Sequence, residues 1–556
     1  MSVRSQAREL GSRRAAVVLL AAGVIAAGAL LLALDSHLTF IADDWMLLVK
    51  RRGWTADYFL HPFHGNIVLA PAALYKLMRE LFGTASALPY YVLAVLVFLA
   101  SVVLLFVYLR RRVGDWLALF AALLIAFLGA AFEDLLFAFQ VGYFGSVAAG
   151  LGMLIALDRE DDRGDRMACA LLVVSVSFSS VGLAFIAGAL ADLAWGRRPW
   201  LRRAYVAFVP IALYALWWAG WGHEASQHLS LHNLLHTPSY VFDAAGAGMT
   251  SLAGLATGDG SEPEQPHLIW GKALLVLGLG LAVFRSYRND WKVSRGLAIA
   301  LFLALALWVL TGLNRDETRP PTSSRFQYAS AVFLLLVFGE ALRGIRVRRP
   351  AVAIAGLATV LALWGGISLL EREYSERWKP ATEALRGTLA AVEIAGRSGN
   401  PRAPVFFPPD IRVPAGAYLA VVDDYGSPAY GEARLAAMPE PDRESADLSI
   451  AQALGLKITS ARPAERTLGC QLVRASSEGF TGVTLLHGGF TLANLGEAPI
   501  ELMLSRFADE FAVFFGPLAP GLKVALRIPT DESERPWNLG LRGTGRVRLC
   551  TTEPAA

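Results

Sequence analysis

Ala15–Leu34 reads AAVVLLAAGVIAAGALLLAL, and the residues that follow, Asp35–Trp45, read DSHLTFIADDW. The first stretch is apolar for about 20 residues, enough for a helix to cross the hydrocarbon core of a bilayer. Arg4, Arg8, Arg13 and Arg14 precede it, which assigns the amino end to the cytoplasm. The run carries no convincing small-x-small cleavage site, so a retained signal anchor is expected rather than a cleaved signal peptide. The adjacent acids Asp43 and Asp44 then emerge on the far side, close to the hydrocarbon boundary. Charge near lipid is costly and marks function; the plainer alternative is two acids that open a solvated loop.

The rest of the chain repeats this pattern. Hydrophobic residues make up 55% of the 556, charged residues only 18%, and mean hydropathy is +0.45. That excess, gathered into long runs, describes a polytopic membrane protein. The net charge of +4 is small and the basic residues cluster in short loops. Such clustering reports topology rather than nucleic-acid binding.

Leu88–Leu109 is expected to return to Arg110-Arg111-Arg112, Trp116–Phe132 to exit, and Val141–Leu157 to re-enter at the charged loop Asp158–Arg166. Met167–Trp195 has basic residues at both flanks, including Arg197, Arg198, Arg202 and Arg203. At about 29 residues it is long for one crossing and short for two. The expectation is a tight hairpin of two abbreviated helices turning near Ser179-Ser180. Ala204–Trp221 exits through an aromatic belt of Trp217, Trp218 and Trp221. His223–His267 stays outside, with Tyr240–Thr257 apolar enough to lie along or dip into the membrane. Leu268–Phe284 returns to Arg285, Arg288, Lys292 and Arg295, Leu297–Leu313 exits, Gln327–Leu342 re-enters to Arg343, Arg346, Arg348 and Arg349, and Ala351–Leu370 crosses last. About eleven spans result, an odd number, which puts the carboxy-terminal part outside the cytoplasm.

After Leu370 the composition changes. Glu371–Arg397 reads as an amphipathic linking helix. Short strand-like runs follow at Val405–Phe407, Tyr418–Val422, Gly482–Leu486, Phe511–Phe515, Lys523–Ile528 and Arg546–Cys550. These suggest a mainly-β, sandwich-like domain of about 150 residues. The expected division is therefore 1–370 transmembrane, 371–400 linker and 401–556 extracytoplasmic. Cys169 falls in an apolar helix. Cys470 and Cys550 either pair in the oxidising exterior or stand as free thiols.

The first outer loop, Asp35–Ala87, is richest in chemistry. After the acids comes His61-Pro62-Phe63-His64-Gly65-Asn66, then a helix opened by Pro71. Its Leu74, Leu77, Met78 and Leu81 recur at helical spacing, with Lys76, Arg79 and Glu80 pointing elsewhere, which suits an interfacial helix. Glu133 and Asp134 occupy the second outer loop. Arg315, Arg319 and Arg325 occupy a later one, where an arginine excess opposes the charge bias and calls for a negative partner. A guanidinium fork matches phosphate, with snorkelling or pairing to Asp316 and Glu317 as the alternative. Glu224, His228, His232 and His236 recur every fourth residue. The outer two histidines would be about 12 Å apart on a helix and could not share one ion, so a polar face is favoured over a zinc site. No Cys/His zinc spacing, Walker loop, nucleophile elbow or dinucleotide fingerprint is present.

The order and sidedness of these features resemble the glycosyltransferase C superfamily. The resemblance rests on the inside amino end, Ala42-Asp43-Asp44-Trp45, the interfacial helix, Glu133-Asp134, Ser324-Arg325-Phe326-Gln327-Tyr328 and the outer terminal domain. It implies a polytopic bundle that transfers a sugar, with inversion, from a polyprenyl-phosphate donor to a glycan, lipid or protein acceptor. By the same resemblance Asp43, or else Asp44, is the general base, and Arg325, helped by His61, His64 or Arg315, holds the donor phosphate. No cofactor is required with a monophosphate-linked donor; with a pyrophosphate-linked one, Glu133 or Asp134 would ligate a divalent ion. Asp-Asp stands where many relatives carry Asp-Glu, which leaves open which acid acts. The competing class is a flippase for lipid-linked glycans. Such proteins more often carry midplane charge and repeated halves, and neither is evident here.

Overall fold

The computed structural model describes residues 3–50, 53–196, 198–224, 229–258, 266–288, 293–315, 320–345, 347–407, 411–461 and 467–552. Arg197, His228, Lys292, Asp316, Glu317, Arg319 and Arg346, named above, lie outside the described residues. Within them six helices are long and apolar enough to cross a membrane: Arg13–Asp35, Leu88–Val113, Asp115–Leu135, Ala138–Leu157, Arg295–Leu313 and the helical run Arg349–Ser398. Gly182–Trp195, Tyr205–Gly220 and Leu268–Gly280 are shorter apolar helices. The chain is thus a mostly helical multi-pass protein with carboxy-terminal β-sheets. Eleven full-length crossings are not seen among the described residues. Gln327–Ala341, for example, has only 15 residues, nearly all buried among other helices.

Two compact units divide the chain: Met1–Leu38, Arg52–Met78 and Ala87–Lys379 form the first, and Thr39–Arg51, Arg79–Ser86 and Pro380–Ala556 the second. Two pieces of the Asp35–Ala87 stretch therefore group with the carboxy-terminal residues, which sequence reading did not anticipate.

In the first unit, Met167–Trp195 breaks as expected into helices Asp162–Phe178 and Gly182–Trp195. Arg203 explains why both ends lie together: it bridges Asp165, at the start of the hairpin, at 3.0 Å and Asp192, near its end, at 2.5 Å. Arg295 reaches the other Asp192 oxygen at 2.5 Å. The hairpin packs on Val141–Leu157 through small residues, as helices in lipid do. A Cβ at Gly145 would lie 2.4 Å from the Phe178 ring, and one at Gly150 2.3 Å from Phe185. Leu69–Phe82 is the expected interfacial helix. Its stripe is split: Leu77 and Leu81, with Phe82, are exposed, Leu74 is part-buried and Met78 is buried, while Lys76 and Arg79 are also buried.

The second unit contains three antiparallel sheets. β1 (Pro404–Phe407) and β2 (Ile411–Pro414) form a hairpin. The other strands are β3 (Ile458–Ser460), β4 (Thr467–Ala475), β5 (Thr481–Leu485), β6 (Gly488–Asn494), β7 (Ile500–Ser505), β8 (Val513–Leu518), β9 (Lys523–Ile528), β10 (Trp537–Arg542) and β11 (Gly545–Thr552). They order as β5-β10-β7-β8 and β3-β9-β6-β11-β4. Leu502, Leu504, Trp537 and Leu539 of one sheet share a core with Leu492, Leu526, Val547 and Leu549 of the other, as in a sandwich. Cys470 and Cys550, register partners on β4 and β11, are disulfide-bonded. One strand assignment is corrected: Tyr418–Val422 lies inside helix Ala415–Tyr425. Ala415, Tyr418 and Val421 are its buried residues, a spacing of three that a helix, not a strand, places on one face.

Candidate functional site

The first candidate centre lies in the helical unit. The helix from Asp115 ends at Ala126, and the loop that carries Glu133 and Asp134 continues in short helical turns, Gly129–Ala131, Phe132–Leu135 and Ala138–Gln140. Backbone of Arg349–Glu373 passes so close that a Cβ on Gly129 would lie 1.8 Å from the Gly366 carbonyl oxygen. Only glycine permits that approach, and it fixes the turn that carries Glu133. The Glu133 amide donates to Ser324 Oγ at 3.1 Å, and Ser324 Oγ donates to the Ala130 carbonyl at 2.7 Å. In return the Arg325 amide donates to Glu133 Oε2 at 3.0 Å, with the guanidinium Nε 3.7 Å from the same oxygen. Arg325 Nε also donates to Ser323 Oγ at 3.2 Å.

Arg325 is thus fixed by its backbone while its side chain keeps 39% of its surface exposed. It lies in the turn Ser324–Phe326 that leads into helix Gln327–Ala341, whose N-terminus adds partial positive charge. A cation and a helix N-terminus together favour an anion. Gln327 secures the turn by donating to the Ser323 carbonyl at 3.0 Å and accepting from Ser251 at 3.1 Å. Asp134, beside Glu133, is fully buried, and neither carboxylate oxygen has a hydrogen-bond partner. That orphaned carboxyl fits one ligand of a divalent ion, but no group of three His, Cys, Asp or Glu suited to a metal occurs among the described residues.

The acid pair belongs to the second unit. Asp43–Trp45 is a single helical turn. Asp44 is fully buried, and its Oδ2 accepts the Ile41 amide at 2.9 Å while its own amide donates to the Ile41 carbonyl at 2.9 Å. Asp43 is half-buried. Ala42, just before it, has φ +37° and ψ −110°, strained for a residue with a Cβ and the kind of outlier that clusters at functional positions. Trp45 is buried, with its Nε1 donating to the Phe40 carbonyl at 3.0 Å.

The remaining predicted residues fall into separate local pairs. His61 Nδ1 faces Glu224 at 3.6 Å. His64 and Gly65 take φ +45° and +81° at the tip of a tight turn, where Phe63 and Asn66 exchange amide–carbonyl bonds at 2.9 and 2.8 Å. Arg315 Nη2 lies 3.2 Å from His232 Nε2. The four-residue stripe shortens: the helix begins at Leu231, after Glu224, and only His232 and His236 stack along it, 4.3 Å apart.

Sequence reasoning quoted Ser324 and Gln327 only as part of the Ser324–Tyr328 stretch, without a role, and missed Ser323; the polar side chains carry no positional signal until the loops meet. It also missed a cavity of about 300 Å³ in the second unit, lined in part by His487, Arg506, Asp531 and Arg535. Its wall contains a fully buried Arg506–Asp531 pair at 2.8 Å, with His487 3.3 Å from the same carboxylate.

No protein-family model and no curated protein matches this chain. Among solved structures it is similar to the archaeal oligosaccharyltransferase AglB from Archaeoglobus fulgidus, in complex with an inhibitory peptide and a dolichol-phosphate. The similarity covers 79% of this chain and 69% of that one, at 13% identity and a TM-score of 0.44.

Proposed function

We propose that this chain is an inverting membrane glycosyltransferase that takes a sugar from a polyprenyl-phosphate donor and delivers it to an extracytoplasmic glycan, lipid or protein. One observation carries the reading: Arg325, held through its amide by Glu133, has a part-exposed side chain just before a helix. A fixed cation beside a helix N-terminus supports an anion site, and a lipid-linked phosphate is the anion this reading assigns to it. The resemblance of Ala42–Trp45, Glu133-Asp134 and Ser324–Tyr328 to the glycosyltransferase C superfamily supports it.

In this reading Asp43 accepts the proton of an acceptor hydroxyl as that oxygen attacks the anomeric carbon. The sugar–phosphate bond breaks, its electron pair leaves on the phosphate, and attack from the opposite face inverts the centre. Arg325 neutralises the charge that gathers on the departing phosphate. Asp43 is preferred over Asp44 because it is the more exposed of the two and Asp44 is fully buried. The chain's basic loops support an outward-facing reaction.

The test is reconstitution in liposomes with polyprenyl-phosphate-linked hexoses and pentoses labelled in the sugar. Release of polyprenyl phosphate, with the label on a new acceptor and its anomeric configuration inverted, is the expected result. Passage of the intact lipid-linked sugar between leaflets, with no cleavage, would replace this reading with that of a flippase.

A further inference from the structure

The residue after the acid pair leads into the carboxy-terminal residues. Trp45 packs against Phe407 of β1, ring centroids 4.9 Å apart, and edge-on against Tyr418 of helix Ala415–Tyr425 at 5.1 Å. All three rings are buried. The Tyr418 hydroxyl donates to Glu393 Oε1 at 2.6 Å, and Ser427 Oγ donates to the same oxygen at 2.5 Å. Burial, reinforced by the Glu393 charge, holds the Tyr418 phenol well above its usual range, so it stays a donor at neutral pH.

The same helix receives the other first-loop segment at its far end. The Thr84 amide donates to the Tyr425 carbonyl at 2.8 Å and Thr84 Oγ donates to the Gly426 carbonyl at 2.5 Å. Arg79 lies over the Tyr425 ring at 4.7 Å and donates to the Leu48 carbonyl at 3.2 Å, tying that segment back to the acid-bearing one. A Cβ at Gly83 would lie 2.4 Å from the Tyr425 carbonyl oxygen, so the approach is as close as backbone allows.

We infer that Tyr418, held by Glu393, is a positioning residue: helix Ala415–Tyr425 sets the conformation of Thr39–Lys50 and so aims the acid pair. The role of the acids themselves rests on the function proposed above. The carboxy-terminal residues then do more than any separate binding module; they complete the first outer loop.

The experiment uses full-length protein in liposomes and two independent readouts: amide hydrogen exchange of the 39–50 segment, and sugar transfer from the labelled polyprenyl-phosphate donors. Tyr418→Ala removes the ring under Trp45, whereas Tyr418→Phe and Glu393→Gln keep that ring and weaken only its anchor. Exchange across 39–50 is expected to quicken by about tenfold or more in Tyr418→Ala, and by less in the two conservative variants. Leu472→Ala, on exposed β4, is expected to leave it unchanged. Where transfer is measurable, kcat should fall by about 100-fold in Tyr418→Ala with KM little altered, and Tyr418→Phe should recover most of it. Should Tyr418→Ala fail to fold, Tyr418→Phe and Glu393→Gln decide. Wild-type exchange in both would overturn the inference. Faster exchange with full transfer keeps the positioning of the segment and sinks the catalytic role of its acids instead.

Discussion

The Arg325 amide donates to the Glu133 carboxylate at 3.0 Å, joining residues 192 apart in sequence. The bond comes from the backbone, so Glu133 holds the position of Arg325 through its main chain. Replacing Glu133 by Gln keeps an acceptor and should lower transfer modestly. Glu133→Ala removes it and should cost about 10- to 100-fold in kcat/KM. Arg325→Ala should weaken donor use more than acceptor use, and Arg325→Lys should restore only part, because the ammonium lacks the planar fork. Initial rates with donor and acceptor varied separately check this; equal losses for both substrates would count against a phosphate role.

Asp43→Asn is expected to abolish transfer while the protein inserts and folds normally. Asp44→Ala should act differently. It strips a buried acceptor from the Ile41 amide and should lower stability by about 1–3 kcal/mol. Comparing turnover with thermal midpoints in detergent separates the two acids.

Arg203 bridges Asp165 and Asp192, and all three are almost fully buried. Arg203→Ala removes the shared bridge but leaves Asp165 paired with Arg198 and Asp192 with Arg295, so it should destabilise by about 1–3 kcal/mol. Arg203→Lys should rescue less than half of that. Thermal unfolding followed by helical circular dichroism supplies the measurement.

Burial raises the Asp447 carboxyl above its usual range, opposed by the amides of Arg506, Phe507 and Ala508. A raised folded-state value contributes stability below the unfolded pKa of about 3.9, and that contribution is lost as pH rises through the folded value. Asp447→Asn should therefore flatten the decline in stability just above pH 4. It should also lower stability throughout, since an amide accepts at one oxygen only. Denaturation midpoints measured in steps from pH 4 to 7 test both parts.

The Cys470–Cys550 bridge joins neighbouring strands. Structural disulfides persist in oxidising compartments, so protein taken from cells under alkylating, non-reducing conditions should lack free thiols at both positions if the terminal residues lie outside. Full labelling of both would reverse the topology assigned from the basic loops.

Much of the architecture is legible locally because each signal is local. A run of apolar residues between basic clusters specifies a span, and the doubled flank of Met167–Trp195 specifies a hairpin whatever packs against it. Tyr418–Val422 was misread because a short run rich in Tyr and Val fits a strand as well as a buried helix face. Its period emerges only with Ala415 and Val421 buried beside Tyr418. The edge of another strand moved for a similar reason: Phe511–Phe515 was expected, and pairing with β7 sets the strand at Val513–Leu518.

The sequence by itself determined that the chain is a polytopic helical protein with a β-rich end, because hydropathy and charge act residue by residue against solvent and lipid. Tertiary structure alone decided that Asp44 is buried while Asp43 stays half-exposed, that Glu133 grips the backbone of Arg325, and that Trp45 rests on Tyr418. Those outcomes depend on contacts between residues far apart in the chain. No local pattern encodes such contacts, since which group loses water is settled only when distant surfaces close on one another.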